Sequence, residues 1–354
     1  METRVAYLDV GEITMETREL PELGPTDVLV DTHQASVCGS ERYFYRGVSV
    51  RPEDEARGRP DESEEYHHEG DGSKHSYPMG PLGHEGGGTI QEVGGAVEEY
   101  LGGGRVSVGD RVGSLYFPTY TDYWVTDVSN VQPIPDGVPF EVGCLYEALA
   151  CAAWAARRME VKLGDRVAVN GAGFAGNILL QGAIEGGASE VYAIDPVDEK
   201  LAIAEELGAD VTIDPTEEDP VERVDELTGD EGVDVAVEAV GGTGVGIEQA
   251  LGMVAHNGVL ALYGDNYVPI EEFCFHRFHE DALEVQNLAS MHYTELQAVE
   301  YAREAFRTVE RDVFDLDTVL EHSDRYSLDE LPEVFAEETG SPDEQASLKT
   351  IIEP

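Results

Sequence analysis

Over the first 140 residues apolar and polar positions alternate in short runs, as in "DVLVDTH" (27–33), "GTIQEVG" (88–94), "DRVGSLY" (110–116) and "YWVTDV" (123–128). Period-two alternation gives each run one face for a core and one for water, so residues 1 to about 50 and 82 to about 140 read as β-strands joined by turns. Residues 51–80 break the pattern: they hold no Ile, Leu, Val or Phe but nine acids and four bases. Such a segment buries too little to pack, and a long solvated loop is expected there. From about residue 146 the rhythm changes to apolar strands alternating with helical stretches: "RVAVNG", "FAGNILLQGAIEGG", "EVYAIDP", "EKLAIAEELGA", "DVTID", "VDVAVEAVG" and "GVLALYG". Strand and helix in repetition predict a doubly wound parallel sheet with helices on both faces, an α/β architecture. After about residue 290, "LQAVEYAREAF" is amphipathic at helical spacing, and a closing strand "LKTIIEP" is expected to return to the first domain.

The second region opens on Gly171-Ala-Gly-Phe-Ala-Gly176, between an apolar strand and a helix. Glycines there let a pyrophosphate approach the N–H groups and positive dipole end of the helix. Asp195 ends the next strand 19 positions after Gly176 (195 − 176), where a carboxylate accepts hydrogen bonds from an adenosine ribose. Gly171, Gly173, Phe174, Ala175, Gly176 and Asp195 are therefore candidate dinucleotide contacts. The bland alternative is a tight strand-to-helix turn with an Asp at a strand end.

A second group of residues offers metal chemistry. "PLGHEGGGTI" (81–90) sets His84 and Glu85 among glycines, which reads as a turn presenting two ionisable groups. Cys38 lies in "SVCGSERYFYRG", and Cys144, Glu147 and Cys151 lie in "GCLYEALACAAWAARR". Thiolate, imidazole and carboxylate together suit Zn²⁺. Yet the separations, 46 from Cys38 to His84 (84 − 38) and 63 from His84 to Glu147 (147 − 84), match no local finger, and spacing alone favours a buried structural Cys and a satisfied His over metal ligands. Cys144 and Cys151, three before and four after Glu147, would share a helix face with it; Cys144 is a rival ligand, and both also read as small apolar packing residues.

Composition narrows the partners. Against 22 Lys plus Arg stand 73 Asp plus Glu, a formal charge of −51, which repels nucleic acid phosphates and anionic membranes. The acids are spread along the whole length and only four residues are lysines (Lys74, Lys162, Lys200, Lys349). That balance resembles a salt-adapted halophile protein, and folding and activity are expected to weaken below about molar salt, where the Debye length exceeds about 3 Å. Four scattered cysteines (Cys38, Cys144, Cys151, Cys274) make no disulfide framework. With no signal-peptide pattern and no apolar run of about 20 residues, a soluble cytoplasmic protein is expected.

Taken in order, "VCGSE", "GHEGGGTIQEVGG", "VGDRV", "IPDGV", "EALACAAWAARRMEVKLGDRVAVNGAGFAGNILLQGA", "GVDVAVEAVGG" and "LKTIIEP" resemble the zinc-dependent medium-chain dehydrogenases over nearly the whole chain. The "EALACAAWAARR" segment is most similar to the polyol, sorbitol dehydrogenase-like branch. The resemblance implies a GroES-like β domain (1–145 and 292–354), a Rossmann domain (146–291) and an active site in the cleft between them. It implies one catalytic zinc per chain on Cys38 and His84, with Glu85 binding the metal or swinging beside it and Glu147 completing the shell directly or through water. It implies Ser40 as the hydroxyl that bonds the substrate oxygen and passes its proton on, and NAD as cofactor with Lys200 at the ribose. The expected reaction is hydride transfer from a secondary alcohol, polyol or sugar hydroxyl to NAD, by a homodimer or homotetramer without nucleic acid or membrane partners. The alternatives are a zinc-free quinone or enoyl reductase of the same superfamily and a dinucleotide-sensing protein.

Three departures qualify the match. Tyr43 stands where relatives often carry a relay histidine, so it either passes a proton through its hydroxyl or packs. No cysteine lies between Asp110 and Pro135, so no second, structural zinc is expected. The loop 51–80 is long and holds His67, His68 and His75, readable as metal donors, as a solvated lid or as an oligomer contact.

Overall fold

The computed structural model describes residues 1–46, 78–114, 118–242, 244–266, 275–288, 295–337 and 346–354. His67, His68, His75, Cys274 and nearly all of the loop 51–80 lie outside the described residues.

Two sheets carry the chain. The first half supplies a hairpin of β1 (Glu2–Asp9) and β2 (Glu12–Glu19), then β3 (Asp27–Ser36), β4 (Glu85–Val93), β5 (Arg111–Ser114), β6 (Tyr123–Asp127) and β7 (Val131–Pro133). The second half supplies β8 (Arg166–Asn170), β9 (Glu190–Ile194), β10 (Val211–Ile213), β11 (Val233–Glu238), β12 (Val254–Leu262) and β13 (Glu284–Asn287), followed by β14 (Asp324–Ser327) and β15 (Thr350–Glu353). The six strands β8 to β13 form a parallel sheet in the order β10-β9-β8-β11-β12-β13. Its order reverses between β8 and β11, the switch point beside which open α/β sheets bind ligands.

The other sheet runs β14-β15-β3-β4-β5-β7, with β6 on β3. β15 is antiparallel to β3, with Ile352 opposite Ala35 and Ile351 opposite Ser36. β3 is antiparallel to β4, with Ser36 opposite Glu85. The chain's last strand thus lies against its third, so the closing strand "LKTIIEP" returns to the sheet of the first half as expected. Gly86–Gly88 are not in a turn: they lie inside β4, against the expectation from "GHEGGG". The reason is close approach, since a Cβ on Gly88 would stand 2.0 Å from the Asp31 carbonyl oxygen. The turn glycine is Gly83, at φ +90°.

Helix α1 (Gly39–Tyr45) follows β3, and α2 (Phe140–Gly143) precedes α3 (Tyr146–Arg158). Leu145, Leu149, Ala152, Ala155 and Met159 recur at helical spacing and are buried. Alanine keeps α3 close to α4 (Phe174–Gly186): a Cβ on Gly182 would lie 2.6 Å from that of Ala156. On another side Tyr146 and Trp154 stack against Phe306 and Tyr301 of the helix Glu295–Val309, at centroid distances of 5.2 and 4.3 Å. Burying Leu149, the one leucine of α3, contributes about 1.5–3 kcal/mol. Helix α3 is therefore a rigid strut, and Glu147 rides on its first turn.

Candidate active site

Strands β15, β3 and β4 lie side by side and end at one place. β3 runs into Cys38, the N-cap of α1; β4 begins at Glu85, just after His84; β15 begins just after Lys349. The ligand atoms of Cys38, His84 and Glu85 all lie within 4.8 Å of one another, the one such group among the described residues. A soft thiolate, an imidazole and a carboxylate fit Zn²⁺, the donor set of a site that keeps one position open.

The surroundings hold these groups in place. Glu41, on α1 and 2% exposed, pairs through Oε1 with His84 Nδ1 at 3.0 Å. Its Oε2 accepts the Cys38 N–H at 3.3 Å and the Tyr120 hydroxyl. A carboxylate on Nδ1 leaves the other ring nitrogen, Nε2, for a metal. Burial disfavours a charged His84, but Glu41 and Cys38 outweigh it and lift the ring's pKa well above its ordinary value. Burial and Glu41 push the Tyr120 phenol well up, so it stays a hydroxyl donor. Glu85 accepts the Ser36 hydroxyl and meets Lys349 Nζ at 2.5 Å. Burial opposes ionisation of Glu85, yet Lys349 overcomes it and holds the carboxyl below its ordinary range. The same pairing raises Lys349 against its own burial.

Glu147 stands outside the three-residue cluster but feels it: burial raises its carboxyl, and His84 partly offsets this. The Cys151 thiol donates to Glu147 Oε1 at 2.9 Å, one turn along α3. The shared face expected for Cys144, Glu147 and Cys151 is corrected by a helix break, because α2 ends at Gly143 and α3 starts at Tyr146. Cys144 falls at the C-cap of α2, 1% exposed, and its sulfur would lie 3.1 Å from a Cβ on Gly87. It packs as a small apolar group, and burial lifts its thiol pKa. The Ser40 hydroxyl points at Cys38 Sγ, 3.3 Å away. Tyr43 packs across the cleft, its hydroxyl 2.6 Å from where a Gly242 Cβ would be.

The other wall of the cleft is the glycine turn between β8 and α4. Gly171 has φ +104°, and a Cβ on Gly176 would lie 1.8 Å from the Gly171 carbonyl oxygen. Gly173 is the N-cap of α4, and a Cβ there would meet nothing within 4 Å. Phe174 and Ala175 open the helix. Asp195, 6% exposed, follows β9 and accepts the N–H of Ala172 at 2.9 Å and of Val197 at 3.0 Å. It therefore laces the turn together. Lys200 sits half-buried on α5 (Asp198–Glu206).

Glu41, Tyr120, Ser36 and Lys349 escape sequence reasoning. Lys349 alone left a signal, as one of four lysines in a chain of 73 acids.

A GroES-like sheet and a Rossmann sheet, meeting at a Cys/His/carboxylate cluster and a glycine turn, define a medium-chain dehydrogenase. Residues 24–156 match the alcohol dehydrogenase GroES-like domain and residues 175–309 the zinc-binding dehydrogenase domain. Sorbitol dehydrogenase of Rattus norvegicus is 32% identical over 257 residues, 65% of this chain and 66% of that enzyme. (R,R)-Butanediol dehydrogenase of Bacillus subtilis is 30% identical over 251 residues, 65% of this chain and 68% of that enzyme. Among solved structures, a putative zinc-binding dehydrogenase of Sinorhizobium meliloti bound to NADP has a TM-score of 0.79 at 22% identity, covering 100% of each chain. The chain belongs to the zinc-type medium-chain dehydrogenases. No helix among the described residues is long and apolar enough to cross a membrane.

Proposed function

We propose that the protein is a zinc-dependent, NAD-linked dehydrogenase oxidising a secondary alcohol, polyol or sugar hydroxyl to a carbonyl. The observation that carries this reading is the Cys38–His84–Glu85 cluster, its donors within 4.8 Å of one another, beside a glycine turn closed by Asp195. The relatives' names, sorbitol and butanediol dehydrogenases, supply the substrate class.

Cys38, His84 and Glu85, with Glu147 at the margin, would hold zinc; bound zinc and NAD supply Lewis acidity and a hydride acceptor respectively. Ser40, beside the Cys38 sulfur, accepts the substrate hydroxyl proton and passes it outward, and Tyr43 lies next on that side of the cleft. Glu41 keeps the His84 ring oriented. The first turn of α4 takes the pyrophosphate, and Asp195 takes the ribose hydroxyls. Asp195, Asp198 and Glu199 repel a 2′-phosphate, with Lys200 as the single opposing charge, so NAD is preferred over NADP by at least about tenfold in kcat/KM. The NADP seen in the Sinorhizobium structure belongs to that protein, and this chain's acids argue the other way.

The test uses purified protein in molar KCl. Expected are about one zinc per chain and NAD reduction with at least one member of a panel of alcohols, polyols and sugars. Protein that takes up no zinc and reduces quinones with NADPH instead would overturn the reading.

A further inference from the structure

We propose that Glu238, the last residue of β11, supplies the counter-charge for the oxidised nicotinamide ring and so sets how tightly this chain holds NAD relative to NADH. The inference rests on the NAD-linked reading above.

Glu238 is 0% exposed. Its Oε1 accepts the N–H of Val240 at 2.9 Å and of Gly241 at 2.6 Å, and its Oε2 accepts Asn266 Nδ2 at 2.9 Å. Asn266 Oδ1 in turn accepts the Gly244 N–H at 3.2 Å, so one carboxylate ties the loop after β11 to the loop after β12. Gly264 leaves the room for it, since a Cβ there would stand 2.8 Å from both carboxylate oxygens. All of these donors are neutral. Among the described residues no lysine, arginine or histidine pairs with Glu238, whereas buried Glu41 meets His84 and buried Glu85 meets Lys349. A glutamate is almost never fully buried without a partner charge, because stripping a carboxylate of water is costly. The charge of Glu238 therefore calls for a cation that arrives from outside the chain.

Topology says where that cation stands. Glu238 lies opposite Asn170 in the pairing of β11 with β8, and Asn170 is the residue before Gly171. Ala239 N–H donates to the Asn170 carbonyl at 2.8 Å, which sets the loop after β11 against the glycine turn. With the adenosine ribose at Asp195, on the β9 side, and the pyrophosphate on the first turn of α4, the other half of a dinucleotide runs across the ends of β11 and β12, the strands on the far side of β8. It then lies over the two loops that Glu238 ties. These loops face the metal side: the Tyr43 hydroxyl, on the same helix as Ser40, stands 2.6 and 3.3 Å from Cβ positions on Gly242 and Gly241. Burial raises the Tyr43 phenol pKa, and the Glu238 charge adds to the rise.

The oxidised nicotinamide ring carries a positive charge that the reduced ring lacks, and the remainder of the cofactor has the same charge in both forms. A fixed carboxylate under that half favours NAD over NADH, and its burial limits screening by salt. Hydride transfer cancels the ring's charge, so the attraction ends as the product forms. Glu238 is a positioning residue in this account: it acts through its field and through the loops it ties, not by touching the reacting carbon.

The experiment measures dissociation constants on full-length protein in molar KCl, NAD by titration calorimetry and NADH by its fluorescence, and compares the ratio of the NAD value to the NADH value. Neutral Glu238→Gln is expected to raise that ratio by at least about fivefold. A role confined to tying the loops would weaken both forms alike and leave the ratio unmoved. Glu238→Gln/Asn266→Asp moves the carboxylate to its partner's place, keeps an acceptor for each loop N–H, and should bring the ratio back within about twofold of the unmutated protein. Should Glu238→Gln not fold, Glu238→Gln/Asn266→Ser is the second neutral variant, because the serine hydroxyl can accept the glutamine amide. The proposal is overturned if the folded neutral variant raises the ratio by less than that factor, or if the variant carrying Asp at 266 keeps a ratio as high as the neutral one. In either case the dehydrogenase reading stands, whereas an unmutated protein that binds neither NAD nor NADH sinks both.

Discussion

The two walls of the cleft are built by different means. On the dinucleotide side nearly everything is local: Gly171, Gly173 and Gly176 lie within six residues, and Asp195 ties the turn through one short strand pairing, with Gly171 N–H on the Ile194 carbonyl at 2.7 Å. On the metal side nothing is local. Cys38, Ser36 and Glu41 come from one end of β3, His84 and Glu85 from the start of β4, Tyr120 from the segment before β6, and Lys349 from the edge of β15. Backbone shape makes the first wall and buried, mutually satisfied side chains make the second. A backbone wall fails through steric clash, whereas a side-chain wall fails through an unpaired polar atom.

The largest effect should come from removing the thiolate. Cys38→Ser is expected to drop zinc from about one per chain to below about a tenth, and alcohol oxidation with it, because thiolate is the donor that most favours zinc in this set. NAD should still bind. Metal analysis beside NAD calorimetry checks this; loss of NAD binding together with zinc would mean the two walls are not separable.

The dinucleotide wall is broken next, by a pair of substitutions. Gly176→Ala sets a methyl 1.8 Å from the Gly171 oxygen and should cost about 1–3 kcal/mol of stability by overpacking, with NAD affinity lost and zinc retained. Gly173→Ala has open space around it, so its unfolding midpoint should hold within about 0.5 kcal/mol. Its methyl would occupy the approach of the phosphates, and NAD binding should weaken nonetheless. If urea midpoints and NAD titrations show the two variants alike, the turn is not shaped for a ligand.

This contrast also explains what the chain reveals when read as letters. The glycine turn and Asp195 are legible because a short motif between an apolar strand and a helix fixes its own geometry. The parallel sheet is legible for the same reason, strand and helix alternating at readable periods. Cys38 and His84, 46 positions apart (84 − 38), are legible only by resemblance, since a sheet register, Ser36 opposite Glu85, is what brings them together. Glu41 and Tyr120 are illegible and Lys349 shows only as a rare lysine: the acid meets the phenol and the lysine meets Glu85 across segments far apart in sequence, with no spacing to announce them. The helix break between Gly143 and Tyr146 defeated periodicity too, because three residues at i, i+3 and i+7 look like one face whether or not the helix is continuous.

Tyr120→Phe sharpens the comparison on the metal side. The ring still fills its place in the core, but Glu41 Oε2 loses its hydroxyl donor, and the carboxylate that orients His84 loosens. Zinc affinity should fall by about 10–100-fold, the range for partners that hold a metal ligand in place, while NAD affinity moves only by what zinc contributes. Chelator competition reads the first and calorimetry the second. Unchanged zinc affinity in a folded Tyr120→Phe protein would show that Cys38 N–H and His84 alone suffice to fix Glu41.

The smallest effect concerns what holds Tyr120 itself. Two residues on, Asp122 takes the Arg4 backbone N–H at 2.9 Å and the Arg4 guanidinium at 2.5 Å, pinning the segment to β1. Its carboxyl is held below its ordinary range, chiefly by the Arg4 side chain. A depressed carboxylate contributes stability that is fully present above its unfolded pKa, near 3.8, and is lost as pH falls through the folded value. The pair is part-exposed, at 32% and 25% for the two side chains, so it is worth no more than about 1 kcal/mol. Urea midpoints of the unmutated protein and Asp122→Asn should therefore differ by up to that amount at pH 7, in molar salt, and converge as pH falls below 3.8 through the lowered folded value. Comparing the two proteins at each pH cancels the protonation of the many other acids, which shifts both midpoints together. A gap that stays constant down to acid pH would mean that Asp122 acts through the neutral contacts Asn also makes, such as accepting the Arg4 N–H, and not through its charge. If Asp122→Asn also weakens zinc, the buried wall depends on this ion pair at its rim, and the separation between local backbone and long-range side chains extends to the surface.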